Sequence, residues 1–263
     1  MWKRTLEGRT LTFHLAGINN QNFLMRDEET GSYWQQINGL AVSGPLTGKQ
    51  LGFVHSDELT FALWRSEEPG GFVLKPVTQF AKDYDAKHWD VRMAKVKTVI
   101  DFPGSGYKPR ELVLGIHAFG ASRAFPFELV KADKLVQDRV GTEPVILVLG
   151  PDGESVRAFQ ARTQAGMPAA DFYRTAVELE KKTDVQALAS AAHSAVMIDS
   201  AGNSWNFQGC ATSGPLTGTC LKPVFVIKDY WFDWRNYNAG TTVYKNPSAT
   251  HSMPAQPAVS HSP

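Results

Sequence analysis

The chain has 263 residues, 43% of them hydrophobic and 20% charged, a balance that excludes a disordered chain or a coiled coil and leaves enough length to bury a large core. Lys and Arg number 27 against 26 Asp and Glu, a net charge of +1, so no overall field recruits nucleic acid or an anionic membrane. The 22 Gly, 15 Pro, 15 Phe, 7 Trp and 7 Tyr favour short strands joined by tight turns over long helices.

In chain order, Met1-Trp2-Lys3-Arg4 runs straight into polar sequence rather than a signal-peptide core, and no stretch approaches the ~18 apolar residues of a membrane span. Phe23-Leu24-Met25 reads as a strand, the Asp27 to Gly31 stretch as a hairpin turn, and Trp34 as part of the returning strand. Ser43-Gly44-Pro45-Leu46-Thr47-Gly48 is a second turn, followed by a strand and a Trp64-Arg65 element. Asp83-Tyr84-Asp85-Ala86-Lys87-His88-Trp89-Asp90 gathers acid, base and aromatic groups, which suits a polar ligand or sugar as well as a solvated loop anchored by its rings. Residues 111–116 and 144–149 are β-rich runs, the second closed by Gly150-Pro151-Asp152-Gly153, with 155–162 as its return strand. Residues 127–134 are predicted as a short helix after Pro126. Residues 168–182 are predicted as a longer one, with Pro168 near its first turn and Glu178 four residues before Lys182; the Ala-rich stretch 184–194 would continue it.

Beyond that point the first pattern returns. Ser213-Gly214-Pro215-Leu216-Thr217-Gly218 repeats the earlier hexapeptide at an offset of 170, and the offset holds without a gap for Gly39 and Gly209, Leu51 and Leu221, Val54 and Val224, Trp64-Arg65 and Trp234-Arg235, and Lys75 and Lys245. Residues 23–75 and 195–245 therefore read as two copies of one β-rich unit. The shared turns are either inherited punctuation or two equivalent loops that meet at a pseudo-twofold axis and line one cleft. The expected architecture is mainly β: two pseudo-repeated halves forming one barrel-like or sandwich-like body with a few short helices, one domain over 1–247, and a flexible Pro/Ser-rich tail over 248–263.

Arg4-Thr5-Leu6-Glu7-Gly8-Arg9-Thr10-Leu11-Thr12-Phe13, the Asp27 to Trp34 segment, the paired turns, Ala124-Phe125-Pro126, Asp138-Arg139-Val140-Gly141 and Tyr230-Trp231-Phe232-Asp233-Trp234 together resemble the prokaryotic family catalogued as domain of unknown function 3179, from about Arg4 to Lys245. The resemblance carries no established activity. It implies an extracytoplasmic protein, because family members commonly begin with a signal or lipoprotein segment. They also carry a Cys-Pro-Leu-Cys strand just ahead of the position where this chain starts. That dithiol would suit a metal or redox site, and nothing in this sequence receives it; an in-frame strand of that kind upstream of Met1 would make the chain a piece of a longer protein.

No nucleophile elbow, phosphate loop, dinucleotide fingerprint or His-Glu-x-x-His helix occurs, and the seven histidines show no metal-binding spacing. Neither a cofactor nor a metal is expected. His117, in a glycine-bordered loop at a strand end near Arg123, stands out against a background in which most histidines are simply satisfied surface groups. The ligand-binding candidates are Ser43, Thr47, Arg65, His117, Arg123, Ser213, Thr217 and Arg235. The two Trp-Arg pairs either contact anions or place Trp in each core while Arg ties down turn carbonyls. Cys210 and Cys220 flank only the second turn; Leu40 and Gln50 stand at the equivalent positions of the first. The two cysteines are either a hairpin staple, which implies an oxidising compartment, or two buried free thiols. The leading functional reading is a non-catalytic binding or accessory module with a protein partner or small polar ligand, part of a larger extracytoplasmic assembly. The alternative is a hydrolase or metal-dependent redox enzyme with a cleft between the halves.

Overall fold

The computed structural model describes residues 1–84, 88–164, 167–175, 188 and 194–246. Strands β1 (Thr5–Leu6) and β2 (Arg9–Thr10) form a small hairpin ahead of the first four-stranded sheet. That sheet runs in sequence order through β3 (Phe13–Asn19), β4 (Asn22–Asp27), β5 (Tyr33–Gln35) and β6 (Ala41–Ser43), all antiparallel. Three short helices follow: α1 (Phe61–Glu67), α2 (Ala81–Tyr84) and α3 (Trp89–Met93). The hairpin of β7 (Leu112–Ala118) and β8 (Ala121–Pro126) leads into α4 (Phe127–Asp133) and then the meander β9 (Leu135–Val140), β10 (Glu143–Leu149) and β11 (Val156–Gln160).

A second antiparallel four-stranded sheet of the same plan contains β12 (Phe172–Arg174), β13 (Met197–Asp199), β14 (Ser204–Trp205) and β15 (Ala211–Ser213). The chain ends with β16 (Pro223–Val224) on the edge of the meander, β17 (Ile227–Tyr230) beside β7, helix α5 (Trp231–Tyr237), and β18 (Thr242–Val243) parallel to β8. The protein is mainly β. Among the described residues no sheet closes into a barrel, and the layered, sandwich-like alternative fits.

The meander forms the middle layer because β10 is apolar on both faces. Val145, Leu147 and Leu149 enter a core with Leu114, Ile116, Phe125 and Val130, whereas Ile146 and Val148 enter another with Phe159, Trp205, Phe207 and Leu63. A strand covered on both sides reads as a continuous hydrophobic run, as residues 145–149 do. The expected helix at 127–134 is α4, and the return strand at 155–162 is β11.

The expected helix at 168–182 is overturned where it is described: residues 172–174 are the edge strand β12, paired with β13. Tertiary contacts override the helical pattern there. Phe172 is buried in the second core, and the Gln137 amide clamps its backbone, donating from Nε2 to Phe172 O and accepting from Phe172 N, each at 2.8 Å. The remainder of that predicted helix, most of 184–194 and the tail 248–263 lie outside the described residues.

The two four-stranded antiparallel sheets match in several details. Each shifts register at its Trp-bearing strand, at Tyr33/Trp34 and at Ser204/Trp205. In each an aspartate accepts from the indole, Trp34 Nε1 to Asp27 Oδ2 at 2.8 Å and Trp205 Nε1 to Asp199 Oδ2 at 3.0 Å. Isolated bridges join Leu40 to Gln50 and Cys210 to Cys220, and the cysteine pair is a disulfide. Helices α1 and α5 then occupy positions 170 apart. Past them the likeness ends, since Val243 pairs with Ala124 whereas Phe72 and Leu74 are 98% and 93% exposed.

Candidate functional site

The repeated turns are closed upon themselves. Gly44 and Gly214 both have φ near +97°, and a Cβ there would lie 2.7 Å from Ser32 Cα or 2.8 Å from Asn203 Cα. Thr47 and Thr217 donate their hydroxyls to the Gly44 and Gly214 carbonyls at 2.6 and 2.7 Å. The amides of Leu46 and Leu216 donate to Ser32 Oγ and Asn203 Oδ1. Substituting either glycine by Val is expected to cost about 1–3 kcal/mol, through a strained backbone and a backbone collision together. Thermal unfolding of both variants checks this, and an unchanged midpoint would show that the turns do not demand glycine.

Behind the turn, Asp27 is fully buried. Burial pushes its carboxyl up, but the hydrogen bonds from Trp34, Thr30 and Ser32 outweigh that and hold it below the ordinary carboxylate value.

A cleft of about 560 Å³ lies between residues of the first 53 positions and residues 225–238. One wall comes from Trp2, Asn38, Gln50 and Phe53, and the other from Phe225, Ile227, Trp234, Tyr237 and Asn238. Gly115 and His117 on β7 complete it. A smaller cavity of about 320 Å³ shares Trp2, Phe53 and Phe225. The rings brace one another, with Trp2 edge-on to Phe53 at 5.6 Å and Phe53 against Phe225 at 4.6 Å. The Trp234 indole lies flat on the β7 backbone because residue 115 has no side chain. A Cβ there would stand 2.2 Å from Trp234 Cε3.

A hydrogen-bond chain fixes the tautomer of His117. Asn238 donates Nδ2–H to Trp234 O at 3.1 Å, which turns its Oδ1 toward Ser122. The Ser122 hydroxyl donates to that Oδ1 at 3.0 Å. Having spent its proton, Ser122 Oγ accepts from His117 Nδ1 at 2.6 Å. In the neutral ring Nε2 is therefore the bare acceptor.

Of the eight sequence candidates, His117 alone lines this cleft. Ser43, Thr47, Ser213 and Thr217 are exposed in their turns, and Arg65 is exposed on α1. Arg123 is engaged by Asp138 at 2.5 Å and by Thr242. Arg235 stacks over Phe102 and reaches the Asn238 carbonyl. That carbonyl follows Arg235 at the helix end, whereas the expected contact was with the preceding turn; Trp234 is buried, while Trp64 is only half-buried beneath Gly71 and Phe61. In the acid-base-aromatic stretch at 83–90, residues 85–87 lie outside the described residues and Trp89 is 58% exposed.

Sequence reasoning missed Trp2, Asn38, Gln50, Tyr237 and Asn238, which share no motif. It also missed Asp229 on β17 and Asp233 on α5. Burial first and the charge of Asp233 second push Asp229 up to about 8, and burial pushes Asp233 up as well. Among the described residues no three of His, Cys, Asp or Glu converge as a metal-binding group.

The architecture is that of a layered, mainly β protein with an aromatic cleft beside β7, β17 and α5. A family model described as "Protein of unknown function (DUF3179)" matches residues 1–241, and the chain belongs to that family. No curated protein and no solved structure matches it.

Proposed function

We propose that the protein is a non-catalytic binding module built from two copies of one unit over residues 1–247, and that its cleft holds a small uncharged ligand with a flat face. The observation that carries this reading is a second, filled version of the same seat. The offset of 170 takes Asn38 to Gln208, Ile227 to Asp57 and Tyr237 to Glu67. Around those three residues the space is taken by the chain's own Arg157. Its guanidinium reaches Asp57 and Glu67 at 2.8 Å and lies 4.6 Å over the Phe207 ring, while Gln208 donates to Glu67 at 3.0 Å. In the open seat the acids are replaced by Ile227 and Tyr237, so a cation has lost its partners. A neutral flat group gains aromatic walls and the hydrogen-bonding edges of Asn38, Gln50 and His117.

Saturation-transfer NMR against matched sets of neutral aromatic and sugar compounds, and of cationic and anionic ones, tests the reading. Neutral compounds are expected to bind, at least tenfold more weakly to His117→Ala and Trp2→Ala. Binding confined to charged compounds, or indifferent to both substitutions, would sink it. The disulfide supports an extracytoplasmic setting, and the uncovered Phe72 and Leu74 support service as a subunit of a larger assembly.

One observation favours the hydrolase alternative. The Asn238, Ser122, His117 chain leaves Nε2 as a base at the cleft. Ester turnover abolished by His117→Ala would decide for it.

A further inference from the structure

The same offset that relates the two seats exposes a mismatch elsewhere. Asp229 and Asp233 stand where the first repeat has Leu59 and Leu63. In the first repeat both leucines pack into the core beneath α1, Leu63 with no exposure at all. The unit thus offers these two seats to apolar side chains, and the second repeat fills them with two carboxyls. Asp233 is only 7% exposed, with Oδ1 buried and unpartnered. Asp229 Oδ2 is likewise buried and unpartnered. The third orphan is not an acid: Asn22, at the start of β4, donates Nδ2–H to Asp233 Oδ2 at 2.9 Å and leaves its own buried Oδ1 without a donor. Among the described residues no Lys, Arg or His pairs with either aspartate; the other titratable groups facing them are Glu58 and Tyr237.

Buried carboxyls in such a setting are paired, protonated or bound to a cation. A single proton shared between the two aspartates would leave Asn22 Oδ1 unsatisfied. A cation held among them would give all three oxygens a partner. We propose that Asn22, Asp229 and Asp233 form a second site, apart from the cleft, for a hard divalent cation of the calcium kind. The donor set contains oxygen only, with neither imidazole nor thiolate to favour zinc or copper. Two carboxylates balance a divalent charge. The orphan oxygens are shut off from solvent, which suits Ca²⁺, with its flexible oxygen shell, better than Mg²⁺, which keeps most of its water. Because the ligands come from β4, β17 and α5, the bound ion would fasten the β3–β4 hairpin to the β17–α5 segment. Tyr237 already holds that hairpin by donating its hydroxyl to Asn19 O at 3.1 Å.

The experiment uses the full chain, stripped with chelator and titrated with CaCl₂, MgCl₂ or TbCl₃. Calcium is expected to raise the unfolding temperature by several degrees and magnesium to do so by much less. Terbium should give emission sensitised by the neighbouring tryptophans that calcium displaces. The double variant Asp229→Leu/Asp233→Leu copies the first repeat and should fold, unfold at a higher temperature than the stripped wild type, and ignore all three ions. Asp229→Asn, the milder change, should bind calcium at least tenfold more weakly. If the wild type responds to pH but to none of the ions between pH 5 and 8.5, the pair holds only a proton and the proposal fails. It fails equally if the double variant responds as the wild type does.

Discussion

Replacing Arg157 by Ala is expected to cost about 3–5 kcal/mol, because it strands the carboxylate of Glu67 in the protein interior. The Arg157 and Glu67 side chains are 10% and 9% exposed, and their two parallel bonds are both 2.8 Å. Burial alone would lower the Arg157 pKa, but Glu67 and then Asp57 overcome it and raise the value, so the charge is present at every physiological pH. Denaturant unfolding measures the loss, and a cost below about 1 kcal/mol would show that the clasp is ornamental. The double variant Arg157→Met/Glu67→Leu should recover most of the stability, since removing both charges leaves nothing unpaired. The single and double variants together separate the worth of the pair from the penalty of breaking it.

In chelator, Asp229→Asn is expected to stabilise the protein at pH 8.5 by a few kcal/mol, up to about 5, and to have little effect at pH 4. The folded chain keeps the Asp229 proton up to about pH 8, whereas an ordinary aspartate releases it near 3.8. Between those values the folded state binds a proton that the unfolded state does not. The contribution of this group is therefore full below about pH 4 and declines as pH rises toward 8, the reverse of an ion-paired carboxylate. The asparagine has no charge to bury, so the gap between variant and wild type should open across that window. Urea titrations at pH 4, 6 and 8.5 follow it; a gap of constant size would mean that Asp229 is not the group that titrates.

Turn residues and their spacing made the Trp-bearing hairpins legible, since Asp27, Trp34, Gly44 and Pro45 have counterparts in Asp199, Trp205, Gly214 and Pro215 and strands form around both sets. The helix at 127–133 was legible for a similar reason, with Pro126 ahead of it marking where it starts. The strand at 172–174 was not, because its state is decided by Gln137 and by the core around Phe172 rather than by local preference. The cleft escaped because its walls come from stretches as far apart as Trp2 and Asn238, with only His117 in a suggestive local setting. The aspartate pair did leave a signal. In Tyr230-Trp231-Phe232-Asp233-Trp234 the aromatic residues carried the family resemblance, but the departure from the first copy, Leu59 and Leu63 against Asp229 and Asp233, holds the chemical information.

The strand that faces two cores has a peculiarity in how it must find its place. For a half-buried strand, a slip of one residue throws polar groups inward and is penalised at once. In β10 the same slip merely exchanges Ile146 and Val148 for Val145 and Leu147, one greasy set for another. Its alignment is therefore policed from the two ends. At one end Gly141, with φ near +58°, turns tightly against the Phe119 carbonyl. At the other, the buried Asp152 gathers the Glu154 and Ser155 amides and the Thr60 hydroxyl. Loosening either end would leave the chain secondary structure and hydrophobicity unchanged yet let the central strand settle one notch out of step, a fault that misfolding and aggregation would reveal.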